Sequence, residues 1–216
     1  MANRAVLRDA LGVGIATGAY GLSFGAIAVA AGFSVPQACA LSLLVFTGAS
    51  QFALVGVVGS GGAALSGAVT GVLLGSRNTL YGIAVAPVLR TRGWRRLAAA
   101  HLVIDESTAM AVTRDDEADG RLAFWATGLT ILVLWNAATL IGALAGEALG
   151  DPKTLGFDAA VAAAFLALLR PRLASRRALV VAVGAAALAL ALTPFTVAGV
   201  PVLAAALVAV AGGVRR

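Results

Sequence analysis

The chain has 216 residues, of which 60% are hydrophobic and only 12% are charged, whereas soluble domains average about 45–50% apolar and about 25% charged residues. This composition excludes an ordinary soluble domain. No charged residue occurs from Ala10 to Ser76 or from Ala178 to Val214. Uncharged apolar runs of this length are typical of membrane-spanning helices, each of which needs about 20 residues.

The same residues argue against several other classes of protein. A β-barrel would alternate apolar and polar residues, whereas Ala, Leu, Gly and Val follow one another here without that period. The single Cys39 and the single His101 rule out an internal disulfide and offer little to a metal centre. The net charge of +6 comes mainly from arginine clusters beside apolar runs, where they orient helices, so we expect no cofactor, metal or nucleic acid.

Seven apolar segments make up one membrane domain over residues 1–216. The first follows two arginines and is longer than the core of a signal peptide, so we expect it to remain as a span. The pattern predicts an all-α polytopic membrane protein with about six crossings and one broken or re-entrant unit. The segments are residues 10–32, 36–58, 63–89, 122–146, 155–169, 178–192 and 196–212.

The third segment, residues 63–89, is interrupted at positions 76–78, which leaves two arms too short to cross a bilayer alone. If the first two segments both cross, a simple third crossing places the arginines at 90–96 outside, against the positive-inside rule. A hairpin or unwound helix with Arg77 at a buried tip returns them to the cytoplasm. Polar backbone at that depth is tolerated only where it lines a cavity. The number of crossings that the arginines require therefore predicts a functional site near Arg77.

The remaining segments complete a predicted topology across the membrane. Residues 98–112 are expected to dip into the bilayer from the cytoplasmic side. The loops at 90–96 and 170–177 are strongly basic, and together with both termini they are predicted to be cytoplasmic. The net acidic loop after residue 146 is predicted to lie outside.

Two series of small residues predict close helix packing, because glycines three or four positions apart form a bare ridge on one helix face. Packing is the favoured interpretation, and direct contact with a ligand is the alternative. The first series is Gly14, Gly18, Gly21 and Gly25, and the second is Gly67, Gly71 and Gly75.

The middle of the second segment carries a polar motif from Phe46 to Phe52. A glycine among Thr, Ser and Gln at bilayer centre favours local unwinding, which frees backbone N–H groups at a half-helix N-terminus to hold a carboxylate. The alternative is an intact helix whose hydroxyls bond to its own backbone and whose Gln51 bonds to a neighbour. The spacing alone leaves both open.

Four motifs follow one another in order: Gly21-Leu-Ser-Phe24-Gly25 with Gly32, Phe46 to Phe52, Arg77 with Tyr81, and Asp105-Glu106. Between residues 10 and 150 they resemble the AzlC family, inner-membrane permeases for branched-chain amino acids. The resemblance implies an amino-acid exporter with a small hydrophobic partner subunit of the AzlD type. This chain departs from the family pattern in one place. The family often has Asn two positions before the arginine, where this chain has Gly75, and Asn78 follows the arginine.

Arg77 is the first candidate for substrate binding. An intramembrane arginine costs several kcal/mol unless it is paired or hydrated, and its planar fork suits a carboxylate. The alternative is that it snorkels or pairs permanently with an internal acid. The predicted substrate-binding residues are Thr47, Gly48, Ser50, Gln51, Arg77, Asn78 and Tyr81.

Asp105 and Glu106 are the candidates for proton coupling, and they are the only acids between Asp9 and Asp115. Acids inside a membrane are rare and often belong to proton relays. Adjacent helical residues point to different faces, so we expect one acid to function in coupling and the other to be structural. The alternative is a solvated turn or helix N-terminus at the cytoplasmic edge.

Two functions from other classes are alternatives to a secondary transporter. Gly48-Ala49-Ser50 with His101 as base would give an intramembrane serine protease, but His101 lies near the predicted cytoplasmic edge and no second glycine-rich oxyanion element is evident. A passive channel would need rings of charge or a filter motif. We therefore predict a proton-coupled amino-acid exporter rather than an enzyme.

Overall fold

A computed structural model describes residues 2–148, 166, 170–196, 200–201, 204–205 and 207–208. Every regular element in this part of the chain is helical, which confirms the predicted all-α class. The helices are α1 (Ala2–Ala30), α2 (Val35–Val45), α3 (Gly48–Gly59), α4 (Ala64–Gly75), α5 (Arg77–Leu89), α6 (Trp94–His101), α7 (Asp105–Val112), α8 (Glu117–Ala148) and α9 (Arg176–Leu192), with 3₁₀ turns at Arg170–Leu173 and Thr193–Phe195.

Four helical units in the described residues are long and apolar enough to cross a membrane, which confirms a polytopic membrane protein. They are Arg4–Ala30, Ala64–Leu89, Glu117–Ala148 and Arg176–Phe195. α2 and α3 are apolar but have only 11 and 12 residues. Each reaches about 17 Å, little more than half of a bilayer core of about 30 Å. The predicted segments 155–169 and 196–212 lie largely outside the described residues.

α1 and α8 run parallel and form the centre of the fold. A Cβ on Gly18 would lie 2.7 Å from Leu134 Cβ, and one on Gly21 would lie 2.6 Å from the carbonyl oxygen of Trp135. No larger residue fits there, so the two backbones approach closely. Gly14, Gly18, Gly21 and Gly25 face Thr130, Leu134, Trp135 and Thr139 in that order.

The parallel pair defines two ends of the molecule. At the first end, Arg114 Nη2 lies 3.0 Å from Asp9 Oδ2, and Arg90 Nη2 lies 2.7 Å from Glu117 Oε1. We call this the basic end. At the opposite end α1 finishes, and a Cβ on Gly59 of α3 would lie 2.9 Å from Ala31 Cβ. Apart from Arg77, every arginine in residues 2–148 belongs to the basic end: Arg4, Arg8, Arg90, Arg92, Arg95, Arg96, Arg114 and Arg121.

α2 and α3 form a re-entrant hairpin that starts and finishes at the opposite end. Phe46 has left-handed torsions (φ 38, ψ 42) and Thr47 is extended (φ −142, ψ 105), so the helix is broken before Gly48. The structure thus has the local unwinding and not the intact helix. It differs from the prediction that residues 36–58 cross, because the break turns the chain back towards Ala31.

α4 and α5 together make a crossing. α4 packs antiparallel on α3, with Gly67 facing Leu54 and Gly71 facing Ser50. Ser76 keeps right-handed helical torsions (φ −57, ψ −27), so the chain continues in a broken helix and not in a hairpin. The hairpin predicted within residues 63–89 is therefore found one unit earlier, in α2 and α3. Both arrangements bring the arginines at 90–96 to the side of the N-terminus.

α6 and α7 form a second re-entrant hairpin, which starts and finishes at the basic end. At its turn Leu102 packs against Gly128, and near its end Ala111 packs against Gly120, so α7 runs antiparallel to α8. Ser107 Oγ donates to the carbonyl oxygen of Leu102 at 2.6 Å and closes the turn. This hairpin corresponds to the predicted dip of residues 98–112.

Aromatic rings fill the space where the two hairpins meet. The rings of Phe46 and His101 stack with centroids 5.5 Å apart, which joins the hairpin tips. Phe24 contacts Phe52 edge-on at 5.5 Å and stacks on Trp135 at 6.2 Å, which ties α1, α3 and α8 together. Each such pair contributes about 0.5–1.5 kcal/mol beyond the area it buries.

Candidate functional site

The side chain of Gln51 fills the break between α2 and α3. Its Nε2 donates to the carbonyl oxygens of Leu41 at 3.0 Å and Ser42 at 3.2 Å, in the last turn of α2. Its Oε1 accepts from Trp135 Nε1 at 3.2 Å. Gln51 is fully buried. Its amide therefore caps α2 and attaches the hairpin to α8, whereas the motif predicts a ligand contact for this residue.

The N-terminus of α3 lies inside the molecule. The first N–H groups of a helix have no partner within it and carry the positive end of its dipole. Ser50, in the first turn, is 2% exposed, and its Oγ has no hydrogen-bond partner among the described residues. A Cβ on Gly75 would lie 3.1 Å from that oxygen, and one on Gly48 would lie 3.2 Å from the Trp135 ring. The site thus offers unused donors in a confined space.

Arg77 and Asp105 form an ion pair, with Nη2 and Oδ2 2.8 Å apart. Arg77 lies 12 residues before the end of α5, about 18 Å along a helix from the basic end, and near the middle of the 26-residue span. The two side chains are 30% and 31% exposed. The buried Nε of Arg77 has no partner in the described part of the chain. The pair therefore neutralises the arginine and leaves one of its donors unused.

The other predicted residues of this region lie close to the pair in sequence. Asn78 follows Arg77, and its buried Oδ1 has no hydrogen-bond partner among the residues described. Tyr81, one turn further along α5, packs partly buried against the hydrophobic core. Glu106 is half-buried and has interactions of its own.

Three helix N-termini converge around these groups. Gly75, at the end of α4, lies against Ser50 in the first turn of α3. Arg77 begins α5 two residues later and pairs with Asp105, which begins α7. Helix N-termini attract anions, because their free N–H groups and dipoles favour negative charge. The arrangement suits a small ligand that carries a carboxylate.

Trp135 has no counterpart in the sequence motifs. It lies within an uninterrupted apolar span, so no spacing distinguishes it from a lipid-facing residue. The available signal is chemical: an indole N–H inside a membrane needs an acceptor, and a buried glutamine needs a donor. The pairing of Ser42 Oγ with Thr139 Oγ1 at 3.2 Å, between α2 and α8, has the same origin.

The geometry does not pair Ser50 with His101 as nucleophile and base. The His101 ring stacks on Phe46, and Ser50 Oγ bonds to no other group in the described ranges. A general base must lie within hydrogen-bond distance of the proton it takes. Among the described residues, no group of three or more His, Cys, Asp and Glu side chains could hold a metal ion.

Comparison with known proteins places these elements in one family. The AzlC protein family profile matches residues 12–149. An uncharacterized membrane protein of Archaeoglobus fulgidus is 32% identical over 187 residues, which is 86% of this chain and 82% of that protein. Uncharacterized membrane proteins of Helicobacter pylori strains 26695 and J99 are 23% and 22% identical over 68% of this chain and 65% of each relative. No solved structure matches the chain. The chain belongs to the AzlC family of membrane proteins.

Proposed function

We propose that the chain is a secondary transporter that exports branched-chain amino acids and couples their movement to protons. The observation that carries this proposal is the ion pair of Arg77 and Asp105 near the middle of a 26-residue apolar span. A charged pair at this depth is expensive, and residues of this kind line substrate and ion pathways. The membership in the AzlC family agrees with transport.

The substrate carboxylate binds between Arg77 and the N-terminus of α3. The guanidinium fork donates two parallel hydrogen bonds, and the hydroxyl of Ser50 and the first N–H groups after Thr47 and Gly48 donate from the other side. The unpartnered Oδ1 of Asn78 supports a contact with the substrate ammonium.

Two neighbouring residues complete the proposed binding site. Tyr81 provides apolar surface for a branched side chain. Gln51 acts as a positioning residue, because it caps α2 and holds the break open.

Asp105 couples protons to substrate by holding Arg77 in place. With Asp105 ionised, the ion pair fixes the guanidinium in the site, and its remaining donors, the unpartnered Nε among them, bind the substrate carboxylate. Protonation of Asp105 releases the guanidinium and lowers the affinity for the substrate, so that an entering proton and a leaving substrate occupy the site in turn, as export requires. The proton thus biases the equilibrium between two states that bind the substrate differently. Glu106 points to another helix face and is the second candidate acid.

The two hairpins are the moving parts in this proposal. α2 and α3 enter from the opposite end, and α6 and α7 enter from the basic end. Their tips meet at the stack of Phe46 on His101. Displacement of one hairpin at a time opens the site to one side only, which is the requirement for alternating access.

The proposed orientation places the basic end in the cytoplasm of a bacterial inner membrane. It is supported by the eight arginines of that end, because short cytoplasmic loops carry the excess of Lys and Arg. The termini and the loop at 170–177 are then cytoplasmic. The family resemblance further implies a small hydrophobic AzlD-like subunit as partner.

The test is transport in vesicles that contain the purified chain, with and without the coexpressed small subunit. Labelled leucine, valine and several unrelated amino acids are added outside the vesicles, and a fixed pH gradient is applied across the vesicle membrane. We expect saturable accumulation of the branched-chain substrates against their own gradient, and its collapse when a protonophore removes the pH gradient. Equilibration without accumulation, as through a passive channel, would contradict the proposal.

A further inference from the structure

A cavity of about 500 Å³ lies between α5 and α6 at the basic end. Apolar side chains line most of it, among them Ile83 and Leu89 of α5 and Ala99 of α6. Arg96 and Thr91 provide its polar groups beside the arginine loop. Neither Arg77 nor Asp105 lines this cavity, so it is separate from the proposed transport site.

The arginines beside the cavity differ from most of the others at the basic end. Arg90 and Arg121 share Glu117, and Arg114 pairs with Asp9. In contrast, four arginines of the basic end have no acidic partner within the part of the chain that the structure describes: Arg92, Arg95 and Arg96, which cluster beside the cavity, and Arg4, which lies away from it. Positive charge next to the cavity is therefore left uncompensated by the described residues.

The surface of α6 is that of a helix at a membrane interface. Trp94 is 73% exposed and Leu97 is 75% exposed. The guanidinium of Arg95 lies over the Trp94 ring, 5.7 Å from its centroid. Exposed Trp and Leu beside Arg are typical of helices that lie between headgroups and acyl chains. The mouth of the cavity is thus expected at headgroup level.

We propose that this cavity binds an anionic phospholipid. The headgroup phosphate accepts hydrogen bonds from Arg96 and Thr91 and is attracted by Arg92, and one acyl chain fills the apolar part. The unpaired arginines favour an anionic over a zwitterionic headgroup, and the apolar lining favours a lipid over a free phosphate. Basic pockets between membrane helices bind anionic headgroups by this combination.

The experiment measures lipid retention by the full-length chain. The protein is placed in nanodiscs of equal phosphatidylglycerol and phosphatidylcholine, released, and analysed by native mass spectrometry. We expect the wild type to retain phosphatidylglycerol in preference to phosphatidylcholine. Each arginine near an anionic surface contributes about a fivefold effect, so the double variant Arg92→Gln/Arg96→Gln should lower the preference about tenfold or more.

The matched control is Arg4→Gln/Arg8→Gln, which removes the same charge from the same end but outside the cavity, and should retain the wild-type preference. A second variant changes Ala86 of α5, which also lines the cavity. Ala86→Phe fills the cavity without changing charge and should lower retention of both lipids. Added inorganic phosphate should not displace the lipid. The proposal is overturned if the two double variants retain phosphatidylglycerol equally, if Ala86→Phe has no effect, if phosphate displaces the lipid, or if a copurified protein subunit occupies the cavity.

Discussion

At the scale of single residues, Arg77 and Asp105 neutralise each other, which lowers the free-energy cost of placing either charge within an apolar span. The pair is about a third exposed, so water screens part of its attraction, and its contribution to stability is modest. In the proposed mechanism, the role of the pair is therefore to bind and release the substrate, not to stabilise the fold. Two neighbouring atoms, Ser50 Oγ and Asn78 Oδ1, have no hydrogen-bond partner among the described residues, which agrees with the proposed substrate contacts.

The first prediction concerns Arg77. Arg77→Ala should abolish transport of labelled leucine in vesicles, and Arg77→Lys should retain part of it, because lysine keeps the charge but loses the fork. Loss of one charge-assisted hydrogen bond corresponds to a reduction of about tenfold or more. Arg4→Ala, at the basic end, should transport normally. Full activity in a well-expressed Arg77→Ala protein would remove Arg77 from the mechanism.

The second prediction separates coupling from binding. Asp105→Asn cannot exchange a proton, so it should lose accumulation driven by a pH gradient but keep exchange of internal for external substrate. Glu106→Gln, one position along α7, is the matched comparison and should accumulate substrate. If both variants concentrate leucine at wild-type levels, another ion or residue provides the coupling.

The third prediction concerns the cap at the hairpin tip. Gln51→Leu leaves the carbonyl oxygens of Leu41 and Ser42 without their donor and Trp135 Nε1 without its acceptor, at about 1–3 kcal/mol for each buried unsatisfied group. It should lower the thermal midpoint of the purified protein clearly. Trp135→Phe should lower the thermal midpoint less. The control is Trp125→Phe, because the ring of Trp125 packs edge-on against Phe124 and takes no part in the cap. Equal midpoints for Gln51→Leu and the wild type would show that water replaces the cap.

At the scale of helices, the sequence identifies the breaks but not the direction in which the chain leaves them. The polar residues at Thr47–Gly48 and Ser76–Asn78 mark both interruptions correctly. The parity of the crossings is the same whether residues 35–59 or 63–89 turn back, so the positive-inside rule does not distinguish the two. The decision comes from tertiary contacts, such as Gly59 against Ala31, which no local pattern encodes.

The same limit applies to the candidate site. Arg77 and Asp105 are recognisable singly, because charge is rare in apolar segments. Their pairing joins α5 to α7. From the sequence, pairing with an internal acid is only one alternative for Arg77, beside substrate binding and snorkelling. Likewise, the role of Gln51 depends on the carbonyl oxygens of Leu41 and Ser42, which its side chain reaches only because the chain breaks and turns back before Gly48.

The fourth prediction concerns the interface of α1 and α8. Gly21→Ala places a Cβ 2.6 Å from the carbonyl oxygen of Trp135 and should force the helices apart, which lowers thermal stability. Gly12, on the same helix, has nothing within 4 Å of an added Cβ. Gly12→Ala should therefore be neutral or stabilising, by up to about 1 kcal/mol of helix propensity. Thermal unfolding in one detergent compares them, and equal losses would show that propensity and not packing governs both positions.

At the scale of the whole molecule, charge and topology agree. Two hairpins from opposite ends surround a broken crossing helix, and a pair of parallel helices supports them. All arginines of residues 2–148 except Arg77 lie at one end. Within residues 2–148, the cation away from that end is therefore the one at the candidate site, inside an apolar span, where water screens its attraction for a carboxylate less than in bulk solution.

The last prediction tests this arrangement in intact bacterial cells. On a Cys39→Ala background, Ser60→Cys should react with an impermeant thiol reagent, because exposed Ser60 follows α3 at the opposite end. Trp94→Cys at the basic end should be protected until the cells are opened. Residue 60 is decisive, because a full crossing by residues 36–58 would place it in the cytoplasm, whereas the hairpin of α2 and α3 places it outside. Protection of both cysteines would show that residues 36–58 cross the membrane fully. Labelling of Trp94→Cys alone would show that the molecule has the opposite orientation in the membrane.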